Sequence, residues 1–284
     1  GDRTFCFFRG QPHPFDAAVT HEWWRVRVAH EGREVVRATR RPYQHLPGDA
    51  FHRAALAALE RAPHVELHLG VRVESLEESA THVDVETSQG KLRARVLFDA
   101  RGLGARDPSP GRRASGLARG DVRWLQHFGG WHVRTERAAF EPGTATLMDF
   151  RVAQEPGPRF VYVLPFSETE ALVEDTCFSE EPLPIEAYEH GVAAYLDRIG
   201  AGAYEVVRRE QGVIPMTTLP SRRATRRVVP IGLAGGVAKP STGYHFTFAQ
   251  RHAGRLVDAL SRGEPLGRAA PPRSNVASFF DRVF

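Results

Sequence analysis

The 284-residue chain predicts a mixed α/β fold in which its outer segments share one α/β domain and a sheet-rich middle segment is inserted between them. Three observations carry this expectation. A strand that empties into Phe98-Asp99-Ala100-Arg101-Gly102 lies before the middle, and a strand, a glycine-rich turn and an amphipathic helix lie after it, from Val228 onward. Between them the pattern is mostly short apolar strands with one helix. The composition, 42% hydrophobic and 25% charged, supports a sizeable core and excludes a disordered chain. The expected domains are 1–120, 121–227 and a return to the first domain over 228–284.

In chain order, His21 to Arg37 alternates around Trp23, Trp24, Val26, Val28, Val35 and Val36 with Glu31-Gly32 between, which predicts a hairpin. Gly48-Asp49 offers a helix cap, Phe51, Ala54, Ala55, Ala58 and Leu59 share a helical face, and Pro63 ends the element. Strands are expected over Val65 to Val73, Thr81 to Thr87 and Leu92 to Phe98, with Ser88-Gln89-Gly90 as a turn. The middle segment predicts strands over Thr144 to Val152, Phe160 to Leu164 and Ala171 to Phe178, and a helix near Ile185 to Ile199. Val228 to Leu233 reads as a buried strand, and Ala249, Ala253, Leu256, Val257 and Leu260 as one face of a helix. Both ends read as cuts. Gly1-Asp2-Arg3 runs straight into Phe5, Phe7 and Phe8, and the apolar stripe of Val276, Phe279, Phe280, Val283 and Phe284 stops with the sequence.

The 38 basic residues, all but Lys91 and Lys239 being Arg, against 34 acidic ones give a net charge of only +4, so nucleic-acid binding is not expected. The run Arg222, Arg223, Arg226 and Arg227 reads as a solvated loop, with anionic lipid headgroups or phosphates as the alternative. Two cysteines, Cys6 and Cys177, argue against a disulfide framework and for a reducing, cytoplasmic setting. No apolar run is long enough to span a bilayer, which leaves peripheral contact with the inner membrane face open. The 13 histidines show no metal-ligand spacing, so no metal is expected and most read as surface residues.

The strongest chemical signal is the segment from Gly232 to Tyr244, which contains Gly235, Gly236, Pro240, Ser241, Thr242 and Gly243 between a strand and a helix. Glycines there clear space, and unpaired N–H groups at the following helix start favour a pyrophosphate or an anionic flavin ring. Ser241 or Thr242 offers a cap or a further hydrogen bond, and His245 follows directly. The same arrangement also serves as plain architecture.

The segment Ile231 to Leu260, Asp99-Ala100-Arg101-Gly102, Leu147-Met148-Asp149-Phe150, and Tyr162 to Phe166 through Leu172 to Thr176 together resemble lycopene beta-cyclases of the bacterial type. The resemblance covers nearly the whole chain. It implies the fold of the FAD-containing hydroxylases, a Rossmann-like FAD-binding domain with an antiparallel-sheet substrate domain inserted. It also implies reduced FAD as cofactor, NAD(P)H as its reductant, and lycopene or a related carotenoid as substrate. On the cofactor side it assigns Gly102, Gly235, Gly236, Pro240, Ser241, Thr242, Gly243 and Tyr244. Two features depart from the family. The glycine-rich fingerprint of the first βαβ unit is absent, and Leu233 stands where many related flavoproteins have Asp.

Closing a carotenoid end requires protonating a double bond, attack on the cation by its neighbour, and loss of a ring proton. An alkene is a poor base, so the donor must be a carboxyl kept protonated by apolar surroundings. The resemblance puts Glu174 in the acid position and Asp175 in the second acidic one, and strand alternation places the two on opposite faces. Asp149, in an apolar strand, is a candidate for stabilising the cation or taking the last proton, with pairing to an Arg as the alternative. Trp124, Phe128, Trp131, Phe150, Phe160, Tyr162 and Phe166 are candidates for lining a polyene tunnel, with core packing as the alternative. A flavin monooxygenase on the same fold and an inactive, truncated lipid-binding homologue remain the rival readings.

Overall fold

A computed structural model describes residues 4–101, 123–217 and 223–269. Contacts divide the chain into two units, Gly1–Ala57 with Trp124–Ile214 and Ala58–Arg123 with Pro215–Phe284.

The first unit is built on strands β1 (Phe5–Phe8), β2 (His21–His30) and β3 (Arg33–Leu46), followed by the start of helix α1 (Gly48–Glu60). Strands β4 (Val73–Glu78), β5 (Val83–Thr87), β6 (Gly90–Ala94) and β7 (Leu97–Asp99) come next in the chain and belong to the second unit. The chain then supplies the first unit with β8 (Arg123–Thr135), β9 (Thr144–Asp149), β10 (Arg159–Pro165), β11 (Glu170–Ser179), helix α2 (Ile185–Arg198) and most of β12 (Tyr204–Thr217). One eight-stranded sheet results, in the order β1-β3-β2-β9-β10-β11-β8-β12. Every neighbouring pair with a described register is antiparallel except β2 with β9, which run parallel.

Strand β10 reads Phe-Val-Tyr-Val-Leu and is buried on both faces, as a continuous apolar run in a central strand should be. One face is covered by α2. Tyr188, Val192, Tyr195 and Leu196 recur at helical spacing and are the buried residues of that helix; three of them, Val192, Tyr195 and Leu196, pack on Val133, Val161, Val163, Ala171 and Val173. Each such side chain taken out of water contributes roughly 1.5–3 kcal/mol. Gly200, at φ 69°, stops the helix: its N–H bonds to Asp197 and that of Ala201 to Leu196, the paired bonds of a Schellman cap.

In the second unit β4, β5 and β6 form an antiparallel sheet, while β7 runs parallel to β13 (Val228–Pro230). Helix α3 (Phe246–Ser261) contributes Leu256 and Ala259 to a small core with Val229 and Leu266. Of the expected basic run, Arg227 is committed to structure: its backbone N–H bonds to Glu78 and its guanidinium to the carbonyls of Ala80 and Arg95. Arg222 lies outside the described residues.

Several expectations differ from this structure. Residues 65–72 form no strand; Val65, Leu67 and Leu69 alternate in sequence but stay exposed, and the first strand there begins at Val73. The expected domain 1–120 is divided, because β2 hydrogen-bonds to β9, from Arg25 opposite Thr144 to Ala29 opposite Asp149, and so draws the first 57 residues to the large sheet. The terminal stripe from Val276 to Phe284 lies outside the described residues, as does Gly1-Asp2-Arg3. Helix α1, the hairpin and α2 follow the expected spans closely.

Candidate active site

Alternation along β11 sends Val173 and Asp175 toward α2 and Leu172, Glu174 and Thr176 to the opposite face. Opposite Glu174 stand Tyr162 on β10 and Gly130 on β8. The half-buried carboxyl accepts one hydrogen bond, from Thr176 Oγ1 to its Oε1 at 3.0 Å. Among the described residues no cation lies within ion-pair distance of it. Burial pushes its pKa well above the usual carboxylate range, the nearby Glu210 adds to this, the Thr176 hydroxyl opposes it, and Asp175 adds a smaller upward push.

Glu210, on β12, is the buried neighbour. It receives Thr4 Oγ1 at 3.0 Å and Arg208 Nη2 at 3.3 Å, with His132 Nε2 at 3.8 Å. Because Thr4 precedes β1 while Glu210 lies on the last strand of the order, the two ends of the sheet meet here. Cys6 on β1 joins the group: burial and then the charges of Glu210 and Glu174 push its thiol up. His45 on β3 is buried, and burial followed by His132, His21 and Arg208 pushes it down to about 3. Its Nδ1 pairs with Thr20 Oγ1 at 2.7 Å, and Phe166 packs on both His45 and His132 with ring centroids 4.9 and 5.7 Å away.

The other two expected carboxylates lie on the α2 face. Asp175 is buried and bonded by Arg159 through Nε, at 2.9 and 3.1 Å, and through Nη2, which also reaches the Ala187 carbonyl at 2.8 Å. Burial raises its pKa and Arg159 offsets part of that rise. Asp149 is buried beneath Arg151, which donates at 2.9 and 2.7 Å, Tyr195 Oη at 3.0 Å and Arg198 at 3.1 Å. Burial alone would raise its pKa, but Arg151, Tyr195 and Arg198 outweigh it and hold the group well below the usual range. Asp149 thus takes the arginine-paired alternative.

Among the aromatics, Phe128, Phe160 and Tyr162 share Glu174's face of the sheet, and Phe166 stands at its end beside the histidines. Trp131 packs instead on the α2 side, near Tyr204 and beneath Arg209, and Trp124 is exposed. A cavity of about 720 Å³ is lined by Trp131, Tyr188 and Arg209 and also by Phe128, Gly130 and Glu210; Glu174 is not part of its wall. Sequence reasoning missed Glu210, His45, His132 and Cys6. The available signal was a charged or imidazole group at an inward position of an alternating strand. His45, His127 and His252 are buried rather than surface residues.

The glycine-rich segment of the second unit leaves β13 and enters α3. Gly232, Gly236 and Gly243 have φ of 59°, 71° and 68°, and a Cβ on Gly235 would sit 2.5 Å from the Pro230 carbonyl oxygen. The N–H of Gly243 bonds to the Lys239 carbonyl at 2.8 Å, and Lys239 Nζ bonds to Ser241 Oγ. His245, not Ser241 or Thr242, holds the cap position of α3 and makes no side-chain cap bond. Thr242 Oγ1 is buried without a hydrogen-bond partner among the described residues, and Pro240 is buried while Tyr244 is half-buried. An orphaned hydroxyl, tight glycine turns and a helix start free of acidic residues suit an anionic ligand. Before this segment, Asp99 at the end of β7 is buried and holds Arg101 through bonds at 2.9 and 2.8 Å; Gly102 lies outside the described residues.

Residues 1–282 match the family model described as lycopene cyclase protein. The lycopene beta-cyclase of Pantoea ananas is 31% identical over 66% of this chain and 47% of its own length. That of a Paracoccus species is 34% identical over 45% of this chain and 34% of its own. The chain therefore spans about a third of the one and about half of the other of these two curated relatives. Among solved structures, a geranylgeranyl bacteriochlorophyll reductase-like protein of Thermoplasma acidophilum gives a TM-score of 0.67 at 12% identity, over 98% of this chain and 71% of that one. The halogenase PltM in complex with phloroglucinol and FAD gives 0.56 at 16%, over 89% and 56%. These likenesses give the fold, a mixed α/β architecture shared with FAD-dependent hydroxylases and halogenases.

Proposed function

Because the chain belongs to the lycopene cyclase protein family, we propose that it closes the acyclic ends of lycopene or a related carotenoid into beta rings by acid catalysis, without net oxidation. The observation that carries this reading is the Glu174 carboxyl, half-buried, without a cation partner among the described residues and pushed well toward its protonated form. In the reading Glu174 gives its proton to the terminal double bond, and the aromatic faces of Phe128, Phe160 and Tyr162 on the same side of the sheet stabilise the cation. Asp175 and Asp149, each locked to arginines under α2, hold the sheet that presents Glu174.

FAD is the cofactor of this reading, with NAD(P)H as its reductant. Gly235, Gly236, Pro240, Ser241, Thr242, Gly243 and Tyr244 would hold it, the unpaired Thr242 hydroxyl and the start of α3 meeting its anionic portions. When bound and reduced, a flavin supplies a negatively charged ring whose field favours a cation. Relatives named lycopene beta-cyclase and a fold neighbour solved with FAD support this assignment.

No described helix is long and apolar enough to cross a membrane. A carotenoid nonetheless resides in lipid, and the reading places the protein in the cytoplasm, peripheral at the inner membrane face; flotation with liposomes tests it, and no affinity would refute it. The central test is Glu174→Gln in the full chain, supplied with lycopene. Ring formation is expected to fall by at least 10²-fold while the circular dichroism spectrum is kept. Undiminished beta-carotene formation would remove Glu174 as the donor.

A further inference from the structure

The hairpin of β2 and β3 presents two faces of unequal chemistry. Its register places Arg25 opposite Ala38, Arg27 opposite Val36 and Ala29 opposite Glu34 on one face, and Val26 opposite Arg37, Val28 opposite Val35 and His30 opposite Arg33 on the other. On the first face the charges are answered. Arg25 and Arg27 both meet Glu141, Arg27 also meets Glu34 at 3.0 Å, and Arg151 reaches Glu34 at 3.6 Å. On the second, Arg37 donates to the Val36 carbonyl at 3.1 Å. Among the described residues no carboxylate lies within ion-pair distance of Arg33 or Arg37, nor of Arg40 and Arg41 farther along β3. Between Arg33 and Arg37 sits an exposed apolar pair, Val28 at 40% and Val35 at 47%, and Trp24 nearer the root of the hairpin is 52% exposed. Single apolar side chains are ordinary on a surface, but two set directly opposite each other and flanked by unpaired cations suit a partner that is both apolar and anionic.

The patch shares a sheet face with Glu174. Ala29 stands opposite Asp149 and Asp149 opposite Val161, which packs beneath α2, so Val28 and His30, the neighbours of Ala29, belong to the face away from α2. Along that face rings follow one another from the hairpin to the acid. The centroids of His30 and Phe150 lie 6.3 Å apart, those of Phe150 and Phe160 5.4 Å, those of Phe160 and Tyr162 5.2 Å, and Tyr162 stands opposite Glu174.

We infer that this face of the hairpin docks the protein on a bilayer bearing anionic headgroups, Val28 and Val35 entering the headgroup boundary while Arg33 and Arg37 meet phosphates and Arg40 and Arg41 add to the attraction. The inference rests on the reading of a carotenoid substrate held in lipid and adds the surface that meets the lipid. A second copy of the chain is a poorer occupant, since a symmetric pairing of this face would set arginines against arginines. Each arginine near an anionic surface strengthens binding about fivefold, and salt screens the attraction.

The experiment uses the full chain and flotation with vesicles of phosphatidylcholine, alone or with about a third phosphatidylglycerol. Wild type is expected to float with the anionic vesicles, far less with the neutral ones, and less as salt is raised. Arg33→Gln/Arg37→Gln is expected to weaken binding by about tenfold or more, while the same charge change at the exposed Arg61 and Arg72 leaves it within about twofold. Val28→Thr/Val35→Thr, which keeps β-branched side chains, is expected to weaken it by about fivefold or more. Both hairpin variants are expected to keep cyclisation of detergent-dispersed lycopene. Full binding to anionic vesicles by either hairpin variant, or equal weakening by the changes at Arg61 and Arg72, overturns the inference and leaves the membrane location standing. Equal binding of wild type to neutral and anionic vesicles overturns it as well, as does loss of cyclisation in detergent by the hairpin variants. A wild type that floats with neither vesicle refutes the membrane location itself. Should the valine variant fail to fold, the arginine variant decides.

Discussion

A carboxyl that keeps its proton in the folded chain weakens the fold at neutral pH. Glu174 has an ordinary value near 4.5 when exposed and a raised one in place, so the native state binds its proton more tightly than the unfolded state. Stability from this group is therefore greatest below about 4.5 and declines as pH rises toward the raised value. Glu174→Gln removes the penalty. It is expected to stabilise the protein at neutral pH by roughly 0.5–2 kcal/mol and to gain nothing at acid pH, read as denaturation midpoints at the two pH values. Equal midpoints of wild type and variant at neutral pH would contradict the strained acid. Asp149 behaves oppositely: three donors hold it ionised, and its contribution is lost only as pH falls below its ordinary value of 3.8 toward the lowered one. The family's motif made Glu174 legible, and alternation correctly separated it from Asp175. Glu210 was not legible, because its burial depends on β1 meeting β12, a contact between residues 206 positions apart in sequence.

At the scale of elements, α2 lies where a helix was expected, near Ile185 to Ile199, whereas β8 and β12 were not readable. Strand β8 carries Gly129-Gly130 at its centre, which reads locally as a break, and it buries polar Gln126 and His127. The structure explains both features. His127 is satisfied by Tyr188 Oη and Ser179 Oγ, each at 2.7 Å. Gly129 lets α2 lie against the strand, since a Cβ there would come 2.7 Å from Tyr188 Cβ, a rigid part of the helix. Gly129→Ala is accordingly expected to cost about 1–3 kcal/mol, seen as a lower urea midpoint with the slope unchanged. A neutral result would mean that α2 has slack the packing of Val192, Tyr195 and Leu196 does not suggest.

For the whole molecule, the general class of fold was legible because the strand, glycine turn and helix around residues 228–261 carry a local pattern. The boundary of the sheet unit was not, since the parallel pairing of β2 with β9 joins segments more than a hundred residues apart and leaves no local trace. The account stands on one transfer, a proton from the protein to a hydrocarbon with no electrons consumed. Turnover of lycopene by the full chain in deuterated water, followed by mass spectrometry of the product, tests that claim most directly. The account predicts a cyclised isomer of the substrate that carries one solvent-derived deuterium for each ring closed. A product without deuterium, or one that has gained oxygen or lost hydrogen, would contradict it.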